Sequence, residues 1–189
     1  MKKIKQSLTD KKGAISIFYV VGVLICALIV TASVDILKQI WILNEVQSVM
    51  DTAGVSALHQ GVDTHKLRAE EFVFDESAIV SSYENLVYSS IPVGSNITTR
   101  GLINTYVEYG GANDNWGLGV STHGGNQLLL RSEMILRVKT DKLFDTLPGI
   151  QKVFYDSRSN SDFTVSFNGT PKDGETELIV RSVSRIVYR

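Results

Sequence analysis

The chain has one cysteine, Cys26, in 189 residues. An intrachain disulfide is therefore excluded, and any folded domain must be held by its apolar core alone. Cys26 lies inside an apolar run and reads there as a small apolar residue. An excess of charge of either sign is also missing. The 19 basic and 20 acidic residues leave a formal net charge of −1. No broad basic field points to nucleic acid, and no acidic tail suggests a chaperone-like partner. The signatures of catalysis are absent as well. There is no HExxH and no GxSxG sequence. His59 and His65 are six apart, which is not a helical ligand spacing, and His123 is isolated from both. The glycines of Gly110-Gly111 and Gly117-Leu118-Gly119 do not lead into a helix start carrying a lysine, so they make no phosphate cradle. Asp141, Asp145 and Asp156 are scattered, with nothing pairing them as acid and base. In Asn113-Asp114-Asn115 one carboxylate stands between two amides, short of a calcium loop. The expectation is a non-enzymatic protein with no cofactor, no metal, no small-molecule substrate and no nucleic acid.

What the sequence does hold is an uncharged stretch from Ala14 to Ser33, AISIFYVVGVLICALIVTAS. At 1.5 Å per residue its twenty residues reach roughly 30 Å, the thickness of a bilayer's hydrocarbon core. In lipid a single span must satisfy its own backbone, so it must be a helix. Lys2, Lys3, Lys5, Lys11 and Lys12 precede it, opposed only by Asp10, and Lys38 is the only basic residue among the twenty that follow. The positive-inside rule places the N-terminus in the cytoplasm and the C-terminal part across the membrane. Three fates of the start fit the sequence. The helix can stay as an anchor, be removed as a signal peptide after Thr31-Ala32-Ser33, or be trimmed between Gly13 and Ala14.

The helical pattern continues beyond Ser33, with no proline up to Gly61 and no internal glycine before Gly54. Ile42, Val46, Val49, Ala53 and Ala57 recur at helical spacing, flanked by Ile36, Ile40, Leu43 and Met50. Asp35, Lys38, Gln39, Asn44, Glu45, Gln47 and Asp51 supply polar positions. Asp35 reads as a juxtamembrane carboxylate beside Lys38, or as a buried charge facing a neighbouring subunit. Trp41 reads as an interfacial anchor or as a core residue of the outer domain. Gly61 is the expected stop.

The remainder reads as α+β. Glu76–Ser90 is a helix with Ile79, Tyr83, Leu86 and Val87 on its apolar face, ended by Pro92 and Gly94. Leu102–Tyr109, Trp116–Thr122 and Leu128–Thr140 read as strands. The last puts Leu130, Ser132, Met134, Leu136 and Val138 on one face, and Arg131, Glu133, Arg137 and Lys139 on a wet one. Leu143–Lys152 reads as a short helical turn. Phe163–Asn168 and Glu177–Tyr188 form a hairpin across the turn-rich GTPKDGET. Arg181, Arg185 and Arg189, with Arg131 and Arg137, outline a basic sheet face. It is either solvated or suited to an acidic partner or wall polymer. The expected organisation is a basic cytoplasmic leader over 1–13, a transmembrane helix over 14–33, an amphipathic extension over 34–60, and an extracytoplasmic domain over 61–189. The fold class is α+β, a long N-terminal helix followed by an antiparallel sheet.

Lys12-Gly13-Ala14-Ile15-Ser16-Ile17-Phe18, then Val34-Asp35, then Leu43 to Leu58 with Gln47, Asp51, Ala53 and Ala57, resemble the TadE/TadG-like family of Flp (tight adherence) pilus-assembly proteins. In that family a basic-Gly-Ala start precedes an anchor helix. A Val-Asp follows about twenty residues on, and then a helix of the form Leu-Gln-x-Ala-x-Asp-Ala-Ala. The match covers about 50 of the 189 residues. The pilin-like members carry a glutamate five residues into the processed chain, where this sequence has Phe18. The larger TadG-like members also have a long extracellular domain for which this chain is too short. The resemblance implies a pilin-like architecture and a role as a pseudopilin-like or minor-pilin component of a Flp/Tad-type pilus or related secretion system. Gly13 and Ala14 form the candidate leader-peptidase cleavage site, and Phe18 weakens the case that the chain is cleaved and polymerised like a major pilin. Its partners would be the bilayer, other pilus subunits and an inner-membrane assembly platform. Gly22, Ala27, Ala32, Asp35, Ala53, Gly54 and Ala57 are the expected helix–helix packing residues. The alternative reading is a membrane-tethered binding module of the cell envelope.

Overall fold

A computed structural model describes residues 11–63, 73–94, 96–109, 126–140, 148–172 and 174–188. The chain divides into two compact units, Met1–Ile40 and Trp41–Arg189. One helix, α1 (Lys11–Gly61), runs through the boundary between them. It is followed by α2 (Glu76–Ser90), β1 (Ile97–Tyr109), β2 (Asn126–Lys139), α3 (Pro148–Asp156), β3 (Phe163–Lys172) and β4 (Glu175–Tyr188). The α+β class, with a long apolar N-terminal helix and a C-terminal antiparallel sheet, is what the residue pattern predicts.

In the first unit, every side chain from Ile17 to Thr31 is exposed. The second unit is a two-layer domain. Its sheet has the order β1-β2-β4-β3, antiparallel throughout. Leu130, Met134, Leu136 and Val138 of β2, Leu178 and Val180 of β4, and Phe163 and Val165 of β3 point to one face, and all are buried. Against it lie Ile42, Leu43, Val46, Met50, Ala57 and Leu58 of α1, with Ile79, Tyr83 and Val87 of α2. Fully burying one such aliphatic side chain contributes about 1.5–3 kcal/mol, so this single core can hold a domain that has no disulfide.

The local reasons are legible. Asp75 caps α2, its carboxylate accepting from the Ala78 backbone N–H at 3.1 Å, and Ile91 before Pro92 closes it. Pro148 opens α3, where its missing N–H costs nothing. The chain reverses between β3 and β4 at Gly174, whose φ of 79° suits glycine. Gly61 packs so closely on Ile79 of α2 that a Cβ there would collide with that side chain.

Several expectations shift. β1 begins at Ile97 rather than Leu102, through the polar Thr98-Thr99-Arg100-Gly101, because pairing with β2 carries it past its apolar part. β3 continues through Pro171 to Lys172. A proline is tolerated there because β3 is an edge strand, with register shifts around Gly169. The turn near Pro148 is a helix that begins at that residue. The predicted strand Trp116–Thr122, the Asn113-Asp114-Asn115 loop, the glycines of 110–125, and His65, His123, Asp141, Asp145 and Arg189 lie outside the described residues.

Candidate assembly surface on the first helix

Among the described residues, the start of α1 is an unusual surface. An eighteen-residue stretch there has mean hydropathy 2.7, and none of it is buried. Phe18, Tyr19, Val20, Leu24, Ile29 and Val30 are among its exposed side chains. Soluble proteins rarely expose such a patch without a partner for it. This is one helix long and apolar enough to cross a membrane. Two hydroxyls at its C-terminal end are neutralised locally. Thr31 Oγ1 donates to the Ala27 carbonyl at 2.9 Å, and Ser33 Oγ to the Ile29 carbonyl at 2.8 Å. Both bonds return to the preceding turn, so neither group needs water.

The predicted packing residues fall into two groups. Gly22 and Ala27 are exposed and Ala32 is half-buried, and a Cβ at Gly22 would meet nothing within 4 Å. They remain open to another helix. Ala53 and Ala57 are buried in the second unit itself. Ala53 lines a shallow hollow with Leu86 and Ser90 of α2. A Cβ at Gly54 would collide with Ser184 of β4. These small residues serve helix–helix and helix–sheet contact within the chain. The side chains of Gly13 and Ala14 lie outside the described residues.

Asp35 departs from the solvated reading. It is 6% exposed, and Gln39 is 1% exposed. Both are engaged in interactions within the chain. Asp35, Gln39, Ile42, Val46, Met50, Ala53 and Ala57 keep one helical stripe, and its first two members are polar. Residue type put them on the wet side, whereas helical period puts them on the buried one. On the opposite face of α1, Val34, Leu37 and Trp41 remain exposed, at 60%, 64% and 61%.

The domain's interior also has a polar seam. Ser182 Oγ of β4 donates to Asp51 Oδ1 of α1 at 3.2 Å. Burial pushes the Asp51 carboxyl above its ordinary value and the nearby Asp162 adds to this, while the Ser182 and Gln47 hydrogen bonds pull it back. Ser132, directly opposite Ser182, lies 2.6 Å from the Tyr83 hydroxyl of α2. Burial pushes that phenol well above its usual range. These groups tie both helices to the two central strands.

The basic sheet face is corrected by the register. Arg131 pairs with Glu108 at 3.1 Å, Arg137 with Glu177 at 2.7 Å, Arg181 with Glu133 at 2.9 Å, and Arg185 with Asp162. Glu133 and Arg181, and Arg137 and Glu177, stand directly opposite each other on β2 and β4. The face is a charge-balanced lattice, not a positive field. Arg131 is moreover 0% exposed, and Gln127, Leu129 and Val183 on the same side are buried, so this end of the face is dry. Strict alternation along β2 concealed that.

His59 is exposed in the last turn of α1. Among the described residues, no group of three or more His, Cys, Asp or Glu side chains could hold a metal ion. Comparison with protein-family models, curated proteins and solved structures found no match.

Proposed function

We propose that the chain is a membrane-anchored structural or assembly component, pseudopilin-like, of a Flp/Tad-type pilus or related secretion system, with its α+β domain outside the cytoplasm. One observation carries the reading. A single α-helix has an apolar, wholly exposed first part, and its last part is the spine of a folded two-layer domain. Its exposed first part favours lipid before assembly and other helices after it, with Gly22 and Ala27 allowing close approach. The five lysines before the run favour a cytoplasmic N-terminus. The Lys12-Gly13-Ala14 start and the Val34-Asp35 pair support the pilus-assembly resemblance.

The test is genetic and structural together. A strain lacking the gene should lose its pili or the corresponding secreted structure, and the wild-type gene should restore them. Gly22→Leu and Ala27→Leu should fail to restore them while the domain stays folded by circular dichroism. Normal piliation in the deletion strain would remove the proposal. The mature N-terminus, read by mass spectrometry, distinguishes a trimmed chain beginning at Ala14 from an intact anchor.

A further inference from the structure

The second unit has an apolar hollow of about 280 Å³ whose lining includes Trp41, Ile42, Glu45, Pro92 and Ile97. Its rim is built from the exposed indole of Trp41 and from Pro92, Gly94 and Asn96 of the α2–β1 connection, next to which Val93 is 53% exposed. From Ile91 to Thr99 this connection has no charged residue. Glu45, one turn past Trp41 on the same face of α1, sets a carboxylate beside the indole.

Chain connectivity limits how far this hollow can be from lipid. Trp41 follows Ser33, the end of the uncharged run, by eight residues, about 12 Å along a helix. Exposed Val34 and Leu37 extend the apolar side of α1 to within four residues of Trp41, about 6 Å. The headgroup layer is of that thickness, and tryptophan is the side chain that settles there. An indole face beside a carboxylate is the arrangement that takes an ammonium ion.

We propose that Trp41, Glu45 and the α2–β1 connection at Pro92 form a docking surface for a zwitterionic phospholipid, so that the domain rests on the bilayer and seats the lipid's ammonium group against Trp41 and Glu45. This deepens the membrane-anchored reading above and rests on it.

The test uses the full chain in vesicles, with Cys26→Ser and one nitroxide label introduced in turn at Ile25→Cys, Val93→Cys or Val153→Cys. Accessibility to oxygen and to a water-soluble nickel complex reports depth. The expected result in phosphatidylcholine is acyl-chain depth at position 25, headgroup depth at 93, and full water exposure at 153, which is exposed on α3. Glu45→Gln should shift 93 toward water, and so should replacing phosphatidylcholine with phosphatidylglycerol. Water exposure at 93 equal to that at 153, with 25 still in the acyl region, overturns the docking surface and leaves the anchor standing. Protection of 93 from both reagents also overturns it, because a protein then covers the rim. Equal depth at 93 in the two lipids overturns the ammonium selection. Water exposure at 25 overturns the anchored reading and the docking surface with it.

Discussion

The two halves of α1 are built on opposite plans. Between Ile17 and Val34 apolar side chains surround the helix and almost none is buried. Between Ile42 and Leu58 they form a stripe, and that stripe is buried almost completely. The same contrast shows in two glycines. Gly22 has open space where a side chain would go, whereas Gly54 has Ser184. A striped helix can be completed by one sheet within its own chain. A helix that is apolar all round cannot, and needs lipid or several other helices.

The largest effect should come from breaking the first half as a span. Leu24→Arg places a charge at its middle, at a cost of roughly 2.5–3.5 kcal/mol for insertion. The variant should move from the carbonate-resistant membrane pellet to the supernatant, while Thr52→Arg, on the exposed side of the second half, should stay with the membrane. Gly54→Leu should destabilise the domain by about 1–3 kcal/mol through overpacking against Ser184, read as a lower urea midpoint. Gly22→Leu should leave that midpoint unchanged.

The half-buried carboxylate of the second half, Asp51, gives a smaller, pH-dependent effect. Asp51 has a folded-state pKa above its unfolded value. In the window between those two values the native state holds more protons than the unfolded state, so stability falls as pH rises through it. Asp51→Asn should remove this contribution and raise the urea midpoint at neutral pH more than at pH below the ordinary carboxylate value. The smallest effect should come from the outer face of the sheet. A double-mutant cycle on Glu133 and Arg181, both partly exposed, should give a coupling of about 0.2–1 kcal/mol that shrinks with salt.

The contrast within α1 also explains how much could be read in advance. The uncharged run, the stripe from Ile42 onward, the Asp75-capped helix and the β3–β4 hairpin are local patterns, and local patterns survive into the fold. The sites of Asp35, Gln39 and Arg131 are not local. Each is a polar residue placed on a buried surface by helical phase or by what covers a strand, and residue type alone argues for the opposite. The pairing of the arginines with Glu108, Glu133, Glu177 and Asp162 depends on register between strands up to 48 residues apart, which periodicity does not encode. Gly54 was legible as a small residue but not as one spent inside the domain, because its neighbour Ser184 is far along the chain.

The native Cys26 is the side chain that reports most simply on whether the first half of α1 lies in lipid. It is the only cysteine in the sequence and is exposed on that half. In membranes, intact or opened, a polar maleimide should fail to label the full-length protein, and labelling should become complete once the protein is denatured in detergent. Rapid labelling without detergent, or a mature chain that carries no cysteine to label, would contradict a lipid-embedded first half.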